Sequence, residues 1–203
     1  MLRETILNIF GQTWPMILIC TTIIISMRVA FLLKNRKSVE IYKELLMLLF
    51  IIYIMFLFYV VTFQDVTWST SNLIPFKEIL RYEFGSRLFF LNVIGNMLMF
   101  IPYGFFIGYI LKTKKITTAI ILAVIASMTI EITQLQVGRV FDIDDIMLNV
   151  VGVILGFYLY RFLDSIKERL PHIFKNSHVY NAVVIVLLTL FILYLFNFIG
   201  IGV

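Results

Sequence analysis

Glu131 and Gln134 stand three residues apart at the end of a long apolar run, and Arg139, Asp142, Asp144 and Asp145 follow in the short stretch after it. Asn149 comes four residues after Asp145, and Asn92 and Asn96 are four apart in an earlier apolar run. Spacings of three or four put each pair on one helix face. Carboxylates and amide oxygens with no His or Cys among them are the donor set of a hard cation, Mg2+ or Ca2+, rather than zinc. Asp142 and Asp145 are the first candidate ligands, and Asn149, Glu131 and Asn96 can complete a shell. The same groups can act as acid or base in an enzyme, or form the polar mouth of a binding site. Plainer roles compete with these: Asn and Gln between membrane helices often only bond their neighbours, at roughly 0.6 kcal/mol each. Asp144 reads as a solvated loop carboxylate. Glu131 needs a partner, and Arg139 is the obvious one, so the two can simply lock two helices. The number of groups at one level favours a binding site built from Glu131, Gln134, Arg139, Asp142, Asp145, Asn149, Asn92 and Asn96, because ionisable groups inside a membrane default to function.

The elements that must position these residues are membrane helices. The chain of 203 residues is 61% hydrophobic and 14% charged, with a mean hydropathy of +0.99. A soluble domain needs far more polar surface. Crossing a hydrocarbon core of about 30 Å takes roughly 20 mostly apolar residues. Six stretches qualify, near Trp14–Leu33, Leu45–Phe63, Phe89–Leu111, Thr117–Gln136, Ile146–Phe162 and Tyr180–Ile199. Continuous apolar runs without period-two alternation exclude a β-barrel. The expectation is an all-α polytopic bundle forming a single integral membrane domain over residues 1–203, with no cleaved signal peptide. The net charge of +5 does not point to nucleic acid, since the basic residues sit in loops between apolar runs. The single Cys20 excludes an intramolecular disulfide.

Orientation follows from Lys and Arg. The loops after the first, third and fifth spans hold eleven of them and the opposite side five. The richer side is expected to be cytoplasmic, which puts both termini and the polar cluster outside a cell membrane. Arg28, near the basic end of the first span, can snorkel. His172 and His178 fall on the cytoplasmic side, away from the acidic cluster.

Gly152 and Gly156 continue the stripe of Asp145 and Asn149, and Gly104 and Gly108 lie deeper on the third span. Small residues four apart allow close helix contact, so the third, fourth and fifth spans are expected to pack together. Pro102 is expected to kink or unwind the third span. In the loop before it, Pro75 suits a helix start, and Phe76, Ile79, Leu80 and Phe84 oppose Lys77, Glu78 and Arg81. This reads as an amphipathic helix on the outer interface that caps the site or covers the bundle.

Asn72-Leu-Ile-Pro-Phe76, Asn92-x-x-Gly-Asn96 with Phe100, Pro102 and Gly104, and Glu131, Gln134, Arg139, Asp142, Asp145, Asn149 and Gly152 in that order resemble the VanZ-like family. The likeness covers about Asn72 to Tyr160 and extends over the second span, giving a core of about 45–162 with added spans at 14–33 and 180–199. The resemblance implies an association with resistance to glycopeptide antibiotics, teicoplanin above all, in Gram-positive bacteria. Three functions stay open. One is binding of a lipid-linked cell-wall precursor or a lipoglycopeptide at the outer leaflet. Another is an enzyme acting on a lipid-linked cell-wall substrate through the outer carboxylates. A small transporter is disfavoured, because no ionisable group sits at mid-span.

Overall fold

The computed structural model describes residues 2–35, 40–63, 71–169, 171 and 176–199. Its long elements are helices: α1 (Leu2–Asn35), α2 (Ile41–Phe63), α5 (Gly95–Leu111), α6 (Ile116–Gln136), α7 (Ile143–Arg169) and α8 (Ser177–Ile199). The short α3 (Lys77–Arg81) lies in the loop after α2. The turn α4 (Arg87–Phe89) leads into α5 through a π-helical turn at Phe90–Ile94. Among the described residues five helices are long and apolar enough to cross a bilayer: Gly11–Asn35, Ile41–Val61, Arg87–Leu111, Ile116–Gln136 and Ile143–Arg169. The sixth expected span falls in α8, of which Ser177–Leu190 is a shorter apolar stretch. The chain is thus an all-α, multi-pass membrane protein.

Two compact units are present, Met1–Ile52 with Ile166–Val203, and Tyr53–Ser165. In the first, Arg28 of α1 does not snorkel alone: its Nε and Nη2 donate to the two oxygens of Glu44 at 2.7 and 2.8 Å. A fork of this kind neutralises both charges. The Tyr42 ring there packs at a tilt against Tyr180, and the Tyr42 backbone amide donates to the Asn181 side-chain oxygen. His178 lies in the first turn of α8; His172 lies outside the described residues.

The second unit holds the polar cluster, and its packing explains the small residues. Gly104 sits against the backbone of Val153, Gly152 against Met97 and Phe100, and Gly156 against Ile101 and Phe105. A Cβ on any of these glycines would overlap backbone atoms. The partner numbers rise together, so α5 and α7 run parallel, nearly backbone to backbone. Helix α6 adds a fully buried face of Ala119, Ala123 and Ser127. These close around Phe100, Ile107, Val153 and Phe157.

Helix α5 is continuous through Pro102, so of the two expected effects, a kink or a local unwinding, the unwinding does not occur. The departure from α geometry comes earlier, at Phe90–Ile94. Helix α7 begins at Ile143, so Asp144 and Asp145 occupy its first turn and are not loop residues. The amphipathic helix before the third span is only the five residues of α3. Phe84 falls beyond it.

Candidate functional site

Helix α6 ends by a glycine reversal. Gly138 has φ +85°, a conformation in which other L residues are strained. The Val137 and Gly138 amides bond back to Thr133 and Leu135, and the Arg139 amide to Gln134. The reversal brings Arg139 and Asp142 back over the last turns of α6. Glu131, 1% exposed, accepts the Asp142 amide through Oε2 at 2.9 Å. With the Gln134 amide oriented to satisfy its neighbours, its nitrogen donates to Glu131 Oε1 at 3.2 Å and its oxygen accepts from Arg139 Nη1 at 2.7 Å. Arg139 also donates to the Val61 carbonyl at the end of α2. Among the described residues no ion pair joins Arg139 to Glu131. The expected lock is therefore indirect: Gln134 stands between the two charges and bonds both.

Asp142 is the N-cap of α7. Its Oδ1 accepts the Asp144 amide at 2.9 Å, which serves one of the free N–H groups of a helix start. The same oxygen takes the side-chain amide of Asn72 at 3.0 Å. Asn72 is itself tied to this stretch by backbone bonds on both sides, from its amide to Phe141 and from the Ile143 amide to its carbonyl. Burial pushes the Asp142 carboxyl above its ordinary range, opposed by the Asp144 amide and Asn72.

Asp144 overturns the reading of a solvated loop carboxylate. It is 1% exposed. One oxygen accepts the Phe76 amide at 2.6 Å, and the other accepts those of Glu78 at 2.8 Å and Ile79 at 3.2 Å. Phe76, at the start of α3, adopts the left-handed conformation and provides no side-chain cap. The carboxylate of another helix supplies it. Asp144 was absent from the expected set because its partners are backbone amides nearly seventy residues upstream, which no local spacing reveals.

Asp145 differs from its neighbours. It is partly exposed and takes one donor, the side-chain amide of Asn96. It lies within electrostatic reach of Glu131, Asp142, Arg139 and Asp144. One turn deeper, Asn149 donates its amide nitrogen to Ser127 Oγ at 2.8 Å, and its Oδ1 has no partner among the described residues. Asn92 is not part of this group. It is exposed and bonds the Leu88 carbonyl of its own helix. Asn96, by contrast, is half-buried and donates its amide to Asp145.

Among the described residues no group of three or more His, Cys, Asp or Glu side chains is placed to hold a metal ion. Asp142 and Asp145, the candidate ligands for Mg2+ or Ca2+, point their bonded oxygens into different networks. Asp142 serves Asn72 and the start of α7, and Asp145 serves Asn96.

The polar end thus has two parts. Asp142, Asp144 and Asn72 stitch the loop of α3 to the start of α7, while Asp145, Glu131, Asn149 and Asn96 face one another among α5, α6 and α7. No curated protein and no solved structure matches the chain. The family model for VanZ/LLP1 matches residues 45–164, more than half of the chain and the same stretch that carries every one of these contacts. The chain belongs to the VanZ/LLP1 family.

Proposed function

We propose that this protein binds a lipid-bearing or lipid-linked molecule at the outer leaflet of the cell membrane and so lowers susceptibility to teicoplanin, a glycopeptide with an acyl chain. The observation that carries this reading is the surroundings of Asp145. A partly exposed carboxylate with one donor lies within electrostatic range of Tyr82, in a loop whose Leu73, Ile74, Phe76, Leu80 and Phe84 are 68, 62, 53, 81 and 88% exposed. A polar group flanked by outward apolar side chains suits an amphiphile, with its chain in the bilayer and its headgroup at the carboxylate. The Lys and Arg distribution supports placing this end outside, where such molecules are met.

Expression in a susceptible Gram-positive host tests it. The expected result is a raised inhibitory concentration of teicoplanin and none for a glycopeptide without the acyl chain. Asp145→Asn, at equal membrane abundance, should abolish the difference. Equal protection against both drugs, or against neither, rejects the proposal.

A further inference from the structure

The donors and acceptors at the polar end do not balance. Asp144 accepts backbone amides on both oxygens, and Asp142 accepts the Asp144 amide and Asn72 on Oδ1. Both oxygens of Glu131 are taken, one by the Asp142 amide and one by Gln134. Arg139 is directed at Val61 and Gln134. What remains is a column on facing helices. Asp145 lies over Asn149 on α7, opposite Glu131 over Ser127 on α6. The crossing bond from Asn149 to Ser127 fixes the level. Among the described residues Asp145 accepts one bond in this column, and Asn149 Oδ1, in a side chain only 4% exposed, accepts none. Because the Asn149 nitrogen is held by Ser127, its oxygen is the end left over. A buried acceptor without a donor costs about 1–3 kcal/mol. The column thus has an acceptor to spare and two carboxylates, with Arg139 the cation that acts on both.

We propose that Asp145, Glu131 and Asn149 receive a primary ammonium group carried by an amphiphile. An ammonium has three N–H donors, a full positive charge and no acceptor. It therefore supplies a donor for the spare acceptor and adds no lone pair that would need a further donor. Asp145 is the entry contact because it is the partly exposed member, and Asn149 is the inner one. A metal ion fits less well, since hard cations take six or more oxygens and among the described residues no three acidic side chains are placed to hold one. A quaternary ammonium has the charge but no N–H to give. A sugar hydroxyl brings a lone pair with each donor. The ammonium can belong to a lipid headgroup or to a small soluble amine. The amphiphile source rests on the function proposed above.

The test uses the full chain in nanodiscs of dioleoyl phosphatidylcholine, with or without dioleoyl phosphatidylethanolamine. The expected result is a thermal midpoint that rises with the ethanolamine lipid, as for any ligand of the native state. Asp145→Asn, which keeps the side-chain shape, should remove the rise, with apparent affinity lowered at least about tenfold. Asn149→Leu should reduce it. Free ethanolamine stabilising the wild type in phosphatidylcholine discs, with no further effect of the lipid, would confirm the site and assign it to a soluble amine. No response to either amine, a rise that persists in Asp145→Asn, or an equal response to Mg2+ or K+ overturns the proposal. Native mass spectrometry of the released protein separates this failure from that of the broader reading. Phospholipids retained without preference for the amine leave amphiphile binding standing, whereas none retained removes both.

Discussion

Asp144, in the first turn of α7, accepts the Phe76 amide on one oxygen and the Glu78 and Ile79 amides on the other. One buried side chain thereby fixes both the left-handed turn at Phe76 and the start of α3. Asp144→Ala should leave three amides without an acceptor. Each such group costs about 1–3 kcal/mol when it stays buried. The expected outcome is a lower thermal midpoint in detergent, with faster hydrogen exchange concentrated at Phe76, Glu78 and Ile79. Unchanged exchange there would show that Asp144 does not hold the loop.

Asp142 gives a pH dependence. Its folded-state carboxyl is raised from an ordinary 3.8 by burial, so the folded chain holds this proton more tightly than the unfolded chain. The corresponding stability is fully present below 3.8 and is lost as pH rises through the raised folded value. Asp142→Asn keeps an oxygen for both the Asp144 amide and Asn72, but cannot ionise. Its stability relative to wild type should therefore increase as pH is raised from the acid side towards neutrality. Asp142→Ala should instead lose the cap at every pH, at a cost of about 0.5–2 kcal/mol. Parallel curves for wild type and Asp142→Asn would refute the assignment.

The pair Glu131 and Arg139 communicates through Gln134. Exchanging the charges, Glu131→Arg with Arg139→Glu, should not restore the stability lost by either change alone, because no direct contact is recreated. A double-mutant cycle between Glu131→Ala and Gln134→Ala should show coupling of about 0.5–3 kcal/mol, as for residues sharing one network. Recovery by the charge exchange would establish a direct ion pair instead.

Gly156 faces the Ile101 carbonyl so closely that Gly156→Ala must separate α5 from α7. Overpacking of this kind costs about 1–3 kcal/mol. Gly11→Ala is the control, since nothing lies within 4 Å of the added carbon. Both can be read as thermal midpoints in detergent, and equal midpoints would contradict the close approach.

Orientation is testable with cysteines on a Cys20→Ser background. Val137, exposed beside the reversal after α6, and Lys114, before α6, lie at opposite ends of that helix. An impermeant thiol reagent added to intact cells should label Val137→Cys and spare Lys114→Cys. The opposite pattern would place the polar cluster on the cytoplasmic side.

Much of this molecule is legible along the chain. Hydropathy is a property of consecutive residues, so the apolar stretches are readable, whereas the more polar ends of helices are not: α1 starts at Leu2 and not at Trp14, and α7 runs past Phe162 to Arg169. The glycines at 104, 152 and 156 announce close packing because nothing else leaves room for it. The cluster of Glu131, Gln134, Arg139, Asp142 and Asp145 is readable because these residues are near neighbours in sequence. What was not readable depends on distant backbone. Asp144 looks like its neighbours until the Phe76, Glu78 and Ile79 amides arrive from upstream. Asn92 shares the α-helical spacing of Asn96, yet it stays exposed and gives its amide to the Leu88 carbonyl of its own helix. Arg139 is the nearest cation to Glu131, yet a carbonyl at the end of α2 competes for it.

The parallel contact of α5 and α7 has an electrostatic consequence. Peptide dipoles in neighbouring helices usually cancel because the helices run in opposite directions. Here two helices in backbone contact point the same way, and each carries roughly half a positive charge at its N-terminus. Those termini open towards the end that holds Glu131, Asp142, Asp144 and Asp145, and α2 and α6 bring their C-termini to the same end. The glycine stripe is thus more than a packing device. By allowing two like-directed helices to touch, it sets two partly positive helix starts side by side, and Asp142, Asp144 and Asp145 sit at the start of one of them, where negative charge is favoured.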